Sequence, residues 1–118
     1  MPFAWREYLR LAGFLHATVG GFTEEAAWRS AVSRAYYAAF GHARNFARVH
    51  DNFIPTGTPE DHDRLRDHLR NHQQERLAQQ LGRLRHWRNQ CDYDDDVPGL
   101  ARMVGAATAT AGEVIDRL

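Results

Sequence analysis

Arg88 sits where a charge is hard to explain. At 100° per residue about a helix axis, Leu81, Leu84, Arg88 and Cys91 all fall within about 40° of Leu77. A guanidinium therefore lies along an apolar stripe, where desolvating it unpaired costs several kcal/mol. Either Arg88 pairs with Asp92, four residues on, or the stripe opens there onto a cleft or interface, where Arg88 meets a phosphate or a carboxylate. Metal-free cleavage of a phosphodiester would need such a cation, together with a base and an acid. Histidine normally moves the proton because it titrates near neutrality. Tyr93 titrates too high to do so without a large shift.

A second set of arginines lies on the stretch from Trp28 to His50. Ala31, Val32, Ala35, Tyr36, Ala39, Ala43 and Phe46 fall within about 80° of Trp28 and belong in a core. Arg34, Tyr37, Gly41, Arg44 and Arg48 gather on the opposite side, with Phe40 at the edge. Tyr and Arg are residue types that interfaces favour. Gly41 costs about 1 kcal/mol in a helix interior relative to Ala and permits close approach of another backbone. Self-association through this face is expected, with Arg34 and Arg44 lining a cleft shared by two protomers and Arg88 alongside. The same residues suit a groove for RNA or nucleotide phosphate. The alternative is that the arginines pair with Glu24, Glu25 or Asp51.

Other candidates read as structural. His68 and His72, four apart, could share a metal with Asp67 or His62, but no Cys or second His pair supports this. Asp92, Asp94, Asp95 and Asp96 could hold a divalent ion. More simply, they cap the last helix ahead of Pro98. Cys91 reads as a small buried hydrophobe, Trp5, Trp28 and Trp87 as core or interface anchors. His42 reads as a core-edge imidazole bonded to a backbone carbonyl. No metal or cofactor is expected.

The elements that position these residues are all helical. Pro2 starts a first helix over about 3–19 with Trp5, Tyr8, Leu9, Ala12 and Val19 inward, ended by Gly20-Gly21. Thr23 caps the long second helix, with Glu24 and Glu25 in its first turn. A loop over 51–57 follows. Thr58-Pro59-Glu60-Asp61 opens a third helix, with Thr58 as N-cap and Pro59 at the first position, to about Asn71, on Leu65 and Leu69. A fourth runs over about 73–91, and no Gly or Pro marks the join between them. Pro98 opens the last, on Leu100, Val104, Ala107, Ala111, Val114, Ile115 and Leu118. With no strand pattern or repeat, the expectation is one all-α domain over 1–118, a four- to five-helix antiparallel bundle.

Composition narrows the partners. The 118 residues carry 15 basic and 15 acidic side chains, which argues against a generic, strongly basic nucleic-acid binder but leaves room for a local arginine patch. All the basic residues are Arg. A single cysteine, no apolar run of membrane-spanning length and no signal-peptide pattern fit a cytoplasmic protein without membrane association.

Ser33-Arg34-Ala35-Tyr36-Tyr37-Ala38-Ala39-Phe40 in the second helix, followed by Arg88-Asn89-Gln90-Cys91-Asp92-Tyr93 near the end of the fourth, resembles the motif pair of HEPN-domain proteins. Small prokaryotic members often carry Arg, two variable residues, a small residue and Asp-Tyr there. The resemblance covers nearly the whole chain and implies an up-and-down helical bundle, usually a dimer. Many members are metal-independent ribonucleases. Many act in toxin–antitoxin or defence modules beside a small nucleotidyltransferase. By that resemblance Arg88 and Tyr93 are the catalytic candidates, Tyr93 also as a target of nucleotide transfer from such a partner. Arg34, Tyr37, Arg44, Asn89 and Asp92 are the candidates for nucleic-acid or nucleotide binding.

The chain departs from the nuclease members in one respect that matters. They carry a His four to six residues beyond the Arg, and the positions here are Tyr93, Asp94 and Asp95. The spacing does occur at Arg10–His16, Arg44–His50 and Arg66–His72, but roughly three matches arise by chance at this composition. Similar sequences also often place His directly after the Phe, where Gly41 precedes His42. The expected function is a dimeric HEPN-like protein that binds a nucleic acid or nucleotide, as an accessory or toxin-like component with a nucleotidyltransferase partner. The alternatives are an active ribonuclease with an atypical site around Arg88 and a structural, partner-binding bundle.

Overall fold

The computed structural model describes residues 3–17 and 23–118; Pro2, Val19 and Gly20-Gly21, to which the sequence gives roles in the first helix, lie outside them. Five helices follow one another: α1 Arg6–Ala17, α2 Glu24–His50, α3 Asp61–Asn71, α4 Glu75–Tyr93 and α5 Leu100–Arg117. The described residues contain no strand, and the fold is an all-α bundle.

Side-chain pairs give the helix directions. Trp5 meets Gly41 while Trp28 donates to the His16 carbonyl at 3.2 Å, so α1 and α2 run antiparallel. Arg29, Ser33 and Tyr37 meet successively earlier residues at the end of α4, namely Asp94, its C-cap, then Asp92 and Arg88. Asp63 pairs with Arg85 and Arg70 with Glu75, and Gln80 pairs with Glu113 while Cys91 meets Met103. Each of these neighbouring pairs is therefore antiparallel, as short connections favour.

The core forms largely on the face of α2 that periodicity assigns to it, but Phe46 is only partly buried and lines a separate groove, while Phe40 and Gly41 of the other side are buried. Ala31, Val32, Ala35, Tyr36, Ala39 and Ala43 are buried, against Leu65 and Leu69 of α3, Leu77, Leu81 and Leu84 of α4, and Val104, Ala107, Ala111 and Val114 of α5. The alanines let α2 lie close to its neighbours while the larger side chains come from around it. Thr23 caps α2 as expected, accepting from the Ala26 amide at 3.1 Å.

Two boundaries differ from expectation. Thr58 is not the cap of α3. The helix begins at Asp61, whose carboxylate, with 7% of the side chain exposed, turns back on the preceding loop. It accepts from the Thr56 amide at 3.0 Å, the Thr56 hydroxyl at 2.6 Å, the Gly57 amide at 2.9 Å and Arg64 at 2.9 Å. These bonds, the Thr56 hydroxyl foremost, hold the carboxyl well below the usual range. Gly57, at φ 78°, supplies the left-handed conformation the turn needs. The acids after α4 also do not cap α5, which starts behind Gly99 with no acid in its first turn. Instead α4 continues to Tyr93 because Arg29 caps it from α2. The guanidinium donates to the carbonyls of Cys91 at 3.0 Å, Asp94 at 2.6 Å and Asp95 at 2.7 Å, satisfying acceptors that a helix end leaves unpaired. Between α3 and α4, Gln73 takes φ 64° and makes the turn without a glycine.

Candidate functional site

The end of α4, the start of α3 and the middle of α2 enclose a cleft of about 650 Å³. Arg85, Arg88, Asn89 and Tyr93 reach it from one face of α4, Tyr37 from α2, and Pro59 and His62 from the start of α3. The apolar stripe of α4 runs on to buried Cys91, but at Arg88 it borders this cleft, which is why a guanidinium is tolerated there.

Arg88 both forms the ion pair and faces the cleft. Its Nε lies 2.9 Å from Asp92 Oδ2, with the side chain 16% exposed, although the N–H is not aimed at the oxygen well enough to make a hydrogen bond. Its Nη1 donates to Asn89 Oδ1 at 2.8 Å. Ser33 holds the same Asp92 oxygen from α2 at 3.4 Å. The guanidinium carbon lies 5.2 Å from the Tyr37 ring centre and 5.6 Å from that of Tyr93, within the range of cation–π attraction. Two rings and two polar neighbours thus fix the orientation of a planar donor. Arg85, bonded to Asp63 at 3.0 Å, adds a second positive charge to the same wall.

His62 supplies what the sequence after Arg88 lacks. It stacks on Phe40, with ring centres 4.5 Å apart, and stands edge-on to Tyr37 at 6.3 Å. One ring nitrogen, Nδ1, shares a hydrogen bond with the buried Tyr36 hydroxyl. Burial, and then the charges of Arg85, Arg88 and Arg66, hold its pKa below the ordinary value of 6.5, so the ring is neutral at neutral pH. Burial pushes the Tyr36 phenol upward, so it keeps its proton. When Nδ1 carries hydrogen and donates to that hydroxyl, Nε2 is a free base; when the hydroxyl donates, Nε2–H is a donor. No described residue bonds Nε2 in either case. On the sequence, His62 reads as the flank of a weakly apolar helix or as a companion of His68. The signal that points to it is Tyr36, a phenol on the core face that must find a polar partner once buried.

The other expected site residues divide. Tyr37, Arg88, Asn89 and Tyr93 share the cleft, and Tyr93 is 72% exposed. Asp92 acts behind it, on Arg88. Arg34 lies over the rings of Tyr8 at 4.8 Å and Tyr37 at 5.3 Å. Arg44 lies over Trp5 at 5.1 Å and Phe40 at 5.7 Å. Neither pairs with Glu24, Glu25 or Asp51, and neither has an acid partner among the described residues. The close approach at Gly41 is made within the chain, by the Trp5 ring, which a Cβ there would overlap.

The remaining candidates lie elsewhere. His42 lines a separate, mainly apolar groove with Trp5 and Phe46; no described carbonyl bonds it, and burial and Arg6 lower its pKa. His68 and His72 stack with ring centres 4.0 Å apart, and His68 Nε2 lies 3.9 Å from Asp51. No group of three or more His, Cys, Asp or Glu side chains among the described residues is placed to hold a metal ion. Cys91 is buried beside Met103, and burial pushes its thiol up to about 11, which leaves it inert as a nucleophile. No helix among the described residues is long and apolar enough to cross a membrane.

In chemical terms the cleft offers an oriented guanidinium, a second one paired with Asp63, two tyrosine rings, the imidazoles of His62 and His86 and, at its edge, the single acid Asp94, a set in which the two arginines suit an anion that also carries an aromatic group. Comparison with protein-family models, curated proteins and solved structures finds no match, so the site is read from its own residues.

Proposed function

We propose that this is a HEPN-like protein that binds the phosphate of a nucleic acid or nucleotide in the cleft between α2, α3 and α4. The observation that carries the proposal is Arg88, held between Tyr37 and Tyr93 with Arg85 on the same wall. Stacked arginine is well suited to phosphate because its planar fork keeps its orientation. Following the habits of the resembled family, the protein acts as a dimer, as an accessory or toxin-like component beside a nucleotidyltransferase, with exposed Tyr93 as the acceptor of a transferred nucleotide. Binding of AMP and of a short single-stranded RNA tests the core of this reading. Arg88→Ala is expected to remove most of both affinities while leaving the helical circular dichroism signal intact. Undiminished binding by that variant overturns it.

One observation favours a second reading, a metal-independent ribonuclease. His62 brings a neutral imidazole to the cleft of Arg88 from α3 rather than from the residues after Arg88. Its Nε2 would accept the proton of an RNA 2′-hydroxyl while Arg88 holds the phosphate. The 2′-oxygen then attacks phosphorus, the 5′-oxygen leaves with a proton from an acid or water, and a cyclic phosphate remains. Cleavage by the wild type that yields cyclic phosphate ends, and that His62→Gln abolishes, is the expected result. RNA left intact by the wild type rejects this reading and leaves the binding reading standing.

A further inference from the structure

Arg44 occupies a second recess that adjoins the first. Phe40, Gly57, Thr58 and Asp61 line it, and it shares Pro59 and His62 with the cleft of Arg88. The two recesses are therefore contiguous, with His62 as the common wall. Arg44 is half-buried, its guanidinium over the Trp5 and Phe40 rings. No carboxylate or carbonyl among the described residues pairs with it. The one acid lining the recess, Asp61, is committed to Thr56, Gly57 and Arg64. Arg48, one turn further along α2, is exposed, and its charge acts on Arg44.

The Arg88 guanidinium lies over Tyr37 and Tyr93 and that of Arg44 over Phe40 and Trp5, so the two share no ring and face different recesses. A group bound by Arg88 and a group bound by Arg44 are thus different groups. A ligand with phosphate at one point fills only one recess.

From this placement we infer that Arg44 forms a second phosphate subsite, and that the ligand is a single-stranded polynucleotide running from Arg88 past His62 to Arg44. The inference rests on the binding reading above and names its ligand class. Exposed Tyr93 beside Arg88 offers a ring to one base, and with cations in two contiguous recesses this matches the stacking-plus-charge pattern of single-strand binding.

The test compares Arg44→Met, which keeps the apolar stem over Trp5, with wild type on three probes. These are AMP, ATP and a 2′-O-methyl oligouridylate, which cannot be cleaved through its 2′-oxygen. The variant is expected to weaken oligouridylate binding about fivefold at low salt and to lower the salt slope by about one, with AMP binding unchanged. Equal loss on ATP and oligouridylate overturns the strand in favour of a polyphosphate nucleotide. No loss on any probe removes Arg44 from the site while the cleft reading stands. Wild type that binds none of the three removes both. Arg44→Lys, which keeps the charge, is expected to recover part of the affinity and guards against a folding artefact.

Discussion

Arg88 could be only a surface ion pair or a binding group, and the energetics separate the two. An ion pair with a partner as open as Asp92, 29% exposed, contributes at most about 1 kcal/mol. Ser33 also keeps a hold on that carboxylate when Arg88 is removed. Stability therefore gives little reason for an arginine on an apolar stripe, whereas a stacked planar donor facing a cleft gives a strong one. Lysine keeps the charge but neither the fork nor the stacking. Arg88→Lys is thus expected to lose at least about tenfold in affinity for the oligouridylate, close to the loss in Arg88→Ala, while the urea midpoint moves little. A lysine variant that binds like wild type shows that point charge suffices, and the stacking argument fails. The residue that sequence spacing could not supply, His62, reaches the same site from α3. Its role depends on Tyr36, Phe40 and two arginines of α4, none of them adjacent in the chain.

At the scale of elements, most of what periodicity could express is present. The buried face of α2, the stripes of α4 and α5 and the Thr23 cap depend on residues a few positions apart, and local spacing finds them. What it missed depends on partners far along the chain. Nothing in the spacing singles out Arg29, yet it terminates α4 through carbonyls more than 60 residues away. Asp61 reads as a first-turn acid, but its side chain folds back on Thr56 and Gly57 and so sets where His62 stands. Gly41 shows the same limit, since its small size is evident in the sequence and Trp5 above it is not. Placing Ala at Gly41 gains helix propensity of about 1 kcal/mol, but its methyl overlaps the Trp5 ring. Overpacking of this kind costs about 1–3 kcal/mol. Gly41→Ala is expected to destabilise the wild type and to stabilise a Trp5→Ala background, a change of sign that a double-mutant cycle in urea measures. Equal effects in both backgrounds mean that Trp5 does not pack on α2 in solution.

Across the whole molecule, three imidazoles link stability to pH. His42 sits on α2 beside Arg6, His62 where α3 meets α2 and α4, and His68 where α3 meets the loop after α2. Burial is the largest cause of a lowered pKa at each. Arg6 adds to it at His42, the α4 arginines and Arg66 at His62, and His72 at His68; Asp116, Asp63 and Asp51 respectively oppose it. A histidine with a lowered native pKa binds fewer protons folded than unfolded once the pH falls below the unfolded value. Stability then rises with pH across that window. The contribution is complete above about 6.5 and is lost as the pH falls toward the native values. The carboxyl of Asp61, held low by its loop, keeps its contribution through this range and gives it up only in stronger acid. The urea midpoint is therefore expected to fall between pH 7.5 and pH 5.5, before most carboxylates begin to titrate. His62→Gln, which removes one of the three groups from the linkage, is expected to make that fall shallower. The same ring sets the pH response of the cleft, because protonated His62 adds a positive charge beside Arg85 and Arg88. Phosphate ligands should bind more tightly as the pH drops through this window even while the fold weakens, and His62→Gln should remove the tightening. Binding that declines in parallel with stability shows instead that the imidazole serves only the packing of α3.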